Sequence, residues 1–307
     1  MKNYKSLSTK TIVYCELCSG VSGQFKIKNN FRYFKCKECS FVFLSPNPKE
    51  KDIRSIYNKS EYVQSKLEQK HIKLVDKIFQ LNKSFSKKQS LLDIGCQNGD
   101  FLNELSKRGD LSLYGIEASH EGAINAKKNK KLKVKEGFFD SKSYEKSKFD
   151  IINLGDVIEH LTEPKKMVND IYEILKPGGL LIVSTPIYNC SYVFLNNFVN
   201  KILRSYPLAW LTPPFHIKYF STYNLDSLIL KDRYIKLEEF YSSSNFFYEL
   251  TETQIFNNFR EKNILQRLSI KNNIHLMLFC ITYLLSKIVS IFIKKKFSYT
   301  VIYQKKS

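Results

Sequence analysis

Four of the seven cysteines stand in two close pairs, Cys15-x2-Cys18 and Cys36-x2-Cys39, with residues 19–35 between them. Two such turns bring four thiolates to the corners of a tetrahedron, the arrangement that suits Zn2+. Either pair alone would read equally well as free thiols or a redox CxxC, but two pairs at this distance favour the metal. Protein fills all four positions, so the ion is expected to hold the chain together and not to meet a substrate. Small or polar residues follow the second thiol of each pair, in CELCSG and CKECS. The intervening FKIKNNFRYFK alternates apolar and polar residues around Asn29-Asn30, which predicts a hairpin carrying the second pair. Cys96, Cys190 and Cys280 are unclustered and are assigned no chemistry.

A second set of chemistry-bearing residues gathers around the run Asp93-Ile94-Gly95-Cys96-Gln97-Asn98-Gly99. An apolar strand leads into it and a helix follows directly. That is a tight turn at a strand's carboxyl end, where backbone approaches a ligand closely and a helix amino-terminus offers unpaired N–H groups. Glu117 ends the next strand, in LYGIEAS, where a carboxylate accepts the ribose hydroxyls of a nucleoside. A dinucleotide-binding G-x-G-x-x-G would need glycine at positions 97 and 100, which hold Gln97 and Asp100. The dehydrogenase reading therefore fails. Further along, Asp156, Glu159 and His160 follow a strand end, and His216 lies behind Pro213-Pro214-Phe215. These four are the candidate bases. Histidine titrates in the useful range, while a helix-start histidine bonded to backbone is the plainer reading of His160. For His216, capping an acceptor site is the reading set beside that of a base.

These residues need a scaffold. The pattern from residue 89 onward alternates strand and helix, which predicts a parallel sheet with helical crossovers. Strands are expected at Ser90–Ile94, Ser112–Glu117, Lys131–Lys135, Phe149–Leu154 and Leu180–Ser184. Helices are expected at Phe101–Arg108, Glu121–Lys127 and Pro164–Leu175. A lysine-punctuated helical stretch precedes them, from about Lys49 to Lys83. The 307 residues suffice for one large core and an appendage. The expected organisation is a zinc-ribbon-like module over 1–45, linker and helices over 46–88, an α/β core over 89–248, and an apolar helical insertion with a last strand over 249–307.

The set of motifs resembles one family. LLDIGCQNGDFL is similar to motif I of class I S-adenosylmethionine-dependent methyltransferases, and GIEAS to their acidic second motif. FDIINLGDVIEHLTEPKKMVNDIYEILKPGGLLIVSTP resembles the fourth and post-fourth motifs, and PFHIKYFSTYNLDSLIL the segment before the sixth strand. The ribbon followed by FVFLSPNPKEKDIRSIYNKSEY resembles bacterial members encoded with sugar- and polysaccharide-modifying enzymes. The resemblance covers about residues 13–230 and implies a Rossmann-like seven-stranded α/β sheet with helices on both faces. It implies that Gly95, Cys96 and Gly99 cradle the amino-acid part of S-adenosylmethionine, with Asp93 fixing the turn. Glu117 would then hold the ribose, Ala118 pack on the adenine, and Phe138 and Asp140 meet its edge and amino group. Gly155 and Asp156 would line the methionine end. The chain departs from the family at Gln97, where glycine is usual. Asp156, Glu159 and His160 also resemble a divalent-metal triad of quinone O-methyltransferases.

The expected activity is methyl transfer to a small-molecule or sugar-precursor acceptor. A quinone-type O-methyltransferase and a non-catalytic binding module at the membrane surface are the alternatives. The formal charge of +20 invites an anionic partner. It is almost all lysine and is spread along the chain, so a nucleic-acid substrate is disfavoured. Ile274–Ile293 is apolar, but His275, Thr282, Ser286 and Ser290 make a polar stripe at helical spacing. That predicts an interfacial or packed helix, with peripheral membrane contact through residues 274–296, and not a spanning one. A last strand is expected at Phe297–Gln304. No apolar leader opens the sequence, so the expected location is cytoplasmic, with the inner membrane face as the peripheral option.

Overall fold

The computed structural model describes residues 12–49, 69–81, 88–202, 210–230, 232–242 and 296–307, with single helical positions between 277 and 289. In chain order the elements are β1 (Val13–Tyr14), β2 (Val21–Lys28), β3 (Phe31–Cys36), β4 (Val42–Leu44), α1 (Gln69–Leu81), β5 (Gln89–Ile94), α2 (Asp100–Arg108), β6 (Leu111–Glu117), α3 (His120–Lys127) and β7 (Leu132–Glu136). There follow β8 (Phe149–Gly155), α4 (Pro164–Ile174), β9 (Leu175–Pro186), α5 (Ser191–Ile202), β10 (Lys218–Tyr219), α6 (Thr222–Ile229), β11 (Tyr234–Ser242) and β12 (Ser298–Lys305). Each expected strand and helix of the central region is present within one or two residues, except that β9 starts earlier, at Leu175.

The chain divides into two compact units. One comprises Met1–Asn47, Pro186–Asp226 and Phe240–Tyr299; the other comprises Pro48–Thr185, Ser227–Glu239 and Thr300–Ser307. This division differs from the breaks expected at 45, 88 and 248, and the reason is strand pairing. β10, far along the chain, pairs antiparallel with β4 through Lys218↔Phe43 and Tyr219↔Val42. The first unit therefore holds a five-stranded sheet, β1-β2-β3-β4-β10, that the N-terminal segment does not complete alone. Its β2–β3 hairpin turns at Asn29 and Asn30, both at positive φ (49° and 65°). Asparagine tolerates that backbone region, and two such residues in a row match the twist of a two-residue hairpin.

The second unit is built on a seven-stranded sheet in the order β11-β12-β9-β8-β5-β6-β7. β5 pairs parallel with both β6 and β8, so the direction of winding reverses between β5 and β8. In such sheets ligands gather beyond the carboxyl ends of the strands at that switch point. Strand composition explains the layering: Ile151, Ile152 and Leu154 in β8 and Leu180–Val183 in β9 are fully or almost fully buried, as expected of strands covered on both faces. α4 starts with Pro164 at its first turn, where the missing N–H costs nothing. β12 is fixed by Lys305, whose ammonium donates to the carbonyls of Tyr172 (2.6 Å) and Leu175 (2.7 Å) and lies 3.9 Å from the Tyr172 ring centroid. This strand fulfils the expectation for 297–304 and lies beside β11.

The part of the expected helix before residue 69 and most of residues 274–296 lie outside the described residues. Of that last segment Met277, Ile281, Leu284 and Ile288 are exposed. No helix among the described residues is long and apolar enough to cross a membrane.

Candidate functional site

The turn after β5 is held by backbone bonds to β6. The N–H groups of Gly95 and Cys96 donate to the carbonyl of Ile116 at 2.8 and 3.0 Å, and Gly99 N–H closes the turn on the Cys96 carbonyl at 2.8 Å. Gly95 (φ 79°) and Gly99 (φ 77°) occupy the left-handed region that favours glycine. Space enforces the same choice at Gly95, where a Cβ would stand 2.6 Å from Cγ2 of Val157. Gln97 also lies in this region, at φ 48°. It costs about 1–2 kcal/mol relative to an ordinary backbone there.

Glu117 is what offsets that cost. Its carboxylate is buried and reaches back from the end of β6 to the turn. Oε2 accepts the Gln97 N–H at 2.8 Å and Oε1 accepts the Ser119 N–H at 2.8 Å. Ser119 in turn caps α3, its hydroxyl accepting from Gly122 N–H at 3.2 Å. A carboxylate has about four acceptor positions, so two remain for further donors at this strand end. Ala118, next in sequence, is half-buried.

Asp93 lies beneath the turn, fully enclosed, and accepts from Asn153 Nδ2 at 2.7 Å. The two residues are register partners on β5 and β8. Burial pushes the Asp93 carboxyl up to about 7; Asn153 pulls it down and the nearby Glu117 adds to the rise. Cys96 is buried, and burial followed by the charges of Asp93 and Glu117 pushes its thiol far above the ordinary range. Its sulfur fills the space that Gly115 leaves open, since a Cβ at 115 would lie 2.7 Å from Sγ. The side chain packs in the core against Gly115.

Phe138, Asp140, Gly155, Asp156, Glu159 and His160 belong to the unit built on the seven-stranded sheet. Phe138 is 39% exposed. Asp140 is exposed, and one of its oxygens accepts from Lys142 N–H at 3.1 Å, capping a short 3-10 turn. Gly155 closes β8. Asp156 follows at φ 52°, its N–H bonded to the Ser184 carbonyl at 2.9 Å. Glu159 and His160 share the 3-10 turn Ile158–His160. Glu159 is 1% exposed and accepts from the Thr185 hydroxyl at 3.0 Å, whereas His160 is half-buried. Among the described residues Asp156 does not converge with Glu159 and His160 to within metal-ligating distance. His216 belongs to the other unit. It is placed by the turn from Thr212, by its carbonyl accepting from Tyr33 Oη at 2.9 Å, and by an edge contact with Tyr219.

The four N-terminal cysteines do converge. Their sulfurs lie within 4.8 Å of one another, with Cys15 and Cys39 at 3.6 Å and Cys18 and Cys36 at 3.4 Å. Zn–S bonds of about 2.3 Å require sulfurs at about this separation. The two knuckles repeat one geometry. Cys15 and Cys36 accept at their carbonyls from Ser19 and Ser40 N–H, each serine at positive φ (63° and 60°). The N–H groups of Leu17 and Cys39 point at the sulfurs of Cys15 and Cys36, at 3.4 and 3.5 Å. The donor set fits a structural zinc ion.

Sequence reasoning missed the residues that support these sites. Asn153, Thr185 and Ser119 read as ordinary strand and cap residues; the signal was a polar side chain inside an otherwise apolar buried strand. Around the cysteines, Tyr188 Oη donates to the Ser40 carbonyl (2.7 Å) and Asn224 to the Cys39 carbonyl (2.8 Å). Lys218, wholly buried, pairs with Glu16 inside the first knuckle and donates to Asn47 at 2.9 Å.

The profile of a family described as a methyltransferase domain matches residues 61–231. The chain is 30% identical over 134 residues to the ubiquinone biosynthesis O-methyltransferase of Pelagibacter ubique, covering 42% of this chain and 50% of that one. It is 26% identical over 176 residues to the mitochondrial ubiquinone biosynthesis O-methyltransferase of Dictyostelium discoideum, with coverage of 51% and 49%. The chain spans about half the length of the curated relatives it matches. Among solved structures, the Haemonchus contortus phosphoethanolamine N-methyltransferase 2 in complex with S-adenosyl-L-methionine has a TM-score of 0.50 at 14% identity, covering 87% of this chain and 62% of that one. The [4+2]-cyclase SpnF also reaches 0.50, at 16% identity, covering 80% and 85%. At such identities the likeness is one of fold.

Proposed function

The chain belongs to the methyltransferase domain family, and from that premise we propose that it moves a methyl group from S-adenosylmethionine to a hydroxyl of a small-molecule acceptor. The observation that carries this reading is the Glu117 carboxylate. It is anchored by two N–H groups at the switch point of the sheet and keeps acceptor positions for a ribose. Gly95, Gly99 and the backbone of Gln97 would hold the amino-acid end, and Ala118, Phe138 and Asp140 the adenine. When bound, the cofactor supplies a methyl carbon on a positively charged sulfur. The protein's part is then to align the acceptor oxygen and remove its proton. We assign that proton to His160, with Glu159, held by Thr185, as its neighbour on the same turn, and leave His216 an acceptor-side role.

The names of the curated relatives favour a quinone-type phenol as acceptor, and a sugar precursor is the other class. For the divalent-metal variant of the quinone reading, Asp156 does not group with Glu159 and His160 at metal-ligating distance among the described residues, and the chelator arm of the assay below tests it. We assign the cysteine cluster one structural zinc.

Calorimetry with S-adenosylmethionine tests the proposal. Heat is expected from the wild type and a loss of at least tenfold in affinity from Glu117→Ala; no heat from the wild type sinks it. A panel of catechols and nucleotide sugars, assayed for methyl transfer with and without chelator, then separates the acceptor classes.

A further inference from the structure

β7 is the outermost strand on its side of the sheet. Leu132 faces the core, while Lys133 and Lys135 are exposed. Lysines on an edge strand protect it from pairing with another chain, and that accounts for these two. It does not account for their surroundings. Lys127, at the end of α3, and Lys130, in the turn beyond, line the same open groove as Lys133, Lys135, Tyr114 and Tyr144. Lys148 joins them just before β8, its ammonium 5.5 Å from the Tyr114 ring centroid and 5.6 Å from that of Tyr144. Lys133 lies 4.9 Å from the Tyr114 centroid. Among the described residues none of these five lysines has a carboxylate partner.

Ammonium groups gathered without carboxylate partners repel one another and raise the local potential, so the surface suits an anion. Its details narrow the anion's kind. The tyrosine rings are already engaged by Lys133 and Lys148, which removes the free faces on which bases would stack. Among the described residues no arginine lines the groove to offer the planar fork that grips a single phosphate or carboxylate. The groove is open, so it does not enclose a small ion. An extended layer of anionic headgroups needs only spread positive charge, to which each lysine adds independently.

We propose that the face formed by Lys127, Lys130, Lys133, Lys135 and Lys148 docks the protein on anionic lipid headgroups. The site is distinct from residues 274–296 and does not depend on the proposed methyl transfer.

The test is co-sedimentation of the full chain with vesicles of phosphatidylcholine, alone or with roughly 30% phosphatidylglycerol, at about 50 and about 300 mM salt. The wild type is expected to bind the anionic vesicles only, and to be released by the higher salt. Lys127→Gln/Lys130→Gln/Lys135→Gln spares the two lysines on the tyrosine rings. It is expected to lower partitioning on the order of a hundredfold, with its unfolding midpoint unchanged. Failure of the wild type to sediment with anionic vesicles overturns the proposal, and so does full binding by the triple variant. A single-stranded RNA of about 20 nucleotides is the competing probe. If it binds more tightly than the vesicles and the triple variant loses it, the face belongs to nucleic acid and the proposal falls.

Discussion

The carboxylate of Glu117 and the amide of Gln97 meet at 2.8 Å, joining the end of β6 to the turn after β5. This one bond ties the ligand-hugging turn to the acidic residue expected to read the ribose. It also makes Gln97, the departure from the family's glycine, a residue that acts through its backbone. Gln97→Gly removes a side chain from a left-handed position and keeps the N–H. The variant is expected to be about 1 kcal/mol more stable, seen as a raised unfolding midpoint, with cofactor affinity equal or higher. Glu117→Ala is expected to do the reverse, leaving the buried Ser119 N–H and the part-buried Gln97 N–H without their acceptor at a cost of about 2–4 kcal/mol. A Gln97→Gly variant that binds cofactor more weakly would assign the glutamine side chain a contact of its own.

The Asp93 carboxyl gives the fold a pH dependence. Its ordinary value lies near 4 and burial raises it to about 7 in the folded chain. The folded state thus holds a proton that the unfolded state has released, so the stabilising contribution is complete below about pH 4 and is lost as pH rises toward 7. Asp93→Asn keeps an oxygen that accepts from Asn153 and removes the titration. The difference in stability between pH 5 and pH 8 is expected to shrink by on the order of 2 kcal/mol in this variant, measured by denaturant unfolding at each pH. Equal pH profiles would show that Asp93 keeps an ordinary acidity.

What was legible in the sequence followed from local pattern. The alternation of strand and helix, the glycines of the β5 turn, Glu117 and the two CxxC pairs all announce themselves within short windows, because each is set by backbone geometry or by ligand spacing. Partnerships across long separations were not legible. Lys218 reads as one surface lysine among many, yet its pairing with Glu16 is made by β10 lying on β4, a contact between segments some two hundred residues apart. The same holds for Asn224 and Tyr188 on the second knuckle. For that reason the N-terminal segment looked like a separate module, although strand pairing makes it part of a larger unit.

Lys218 supplies a test of that unit. Its ammonium is entirely buried, held by Glu16 and Asn47 against the Phe43 ring, and burial lowers its proton affinity while Glu16 opposes the change. Lys218→Met is expected to cost about 3 kcal/mol, because Glu16 loses its buried partner. Lys218→Met/Glu16→Gln should recover part of this loss, and a double-mutant cycle on unfolding free energies measures the coupling. Zinc content, read by elemental mass spectrometry, is expected to stay at one ion per chain in the double variant and to vanish in Cys36→Ser. Additive effects of the two substitutions would mean that the pair contributes nothing.

The packing of Cys96 against Gly115 separates a structural from a ligand-facing role for that cysteine. A methyl group at position 115 would fall 2.7 Å from Sγ of Cys96 and 3.1 Å from Cδ1 of Leu102. Both neighbours sit in a filled core, so Gly115→Ala is expected to destabilise by about 1–3 kcal/mol. Trimming the opposing side chain makes room: Cys96→Ala/Gly115→Ala should be more stable than Gly115→Ala alone, even though Cys96→Ala by itself creates a small cavity and costs about 1 kcal/mol. Cofactor affinity should follow stability and show no separate loss in Cys96→Ala, since the thiol faces the core and not the turn's open side. Calorimetry on the single variant decides the matter, because a tenfold weakening in a well-folded Cys96→Ala would return the sulfur to the ligand site.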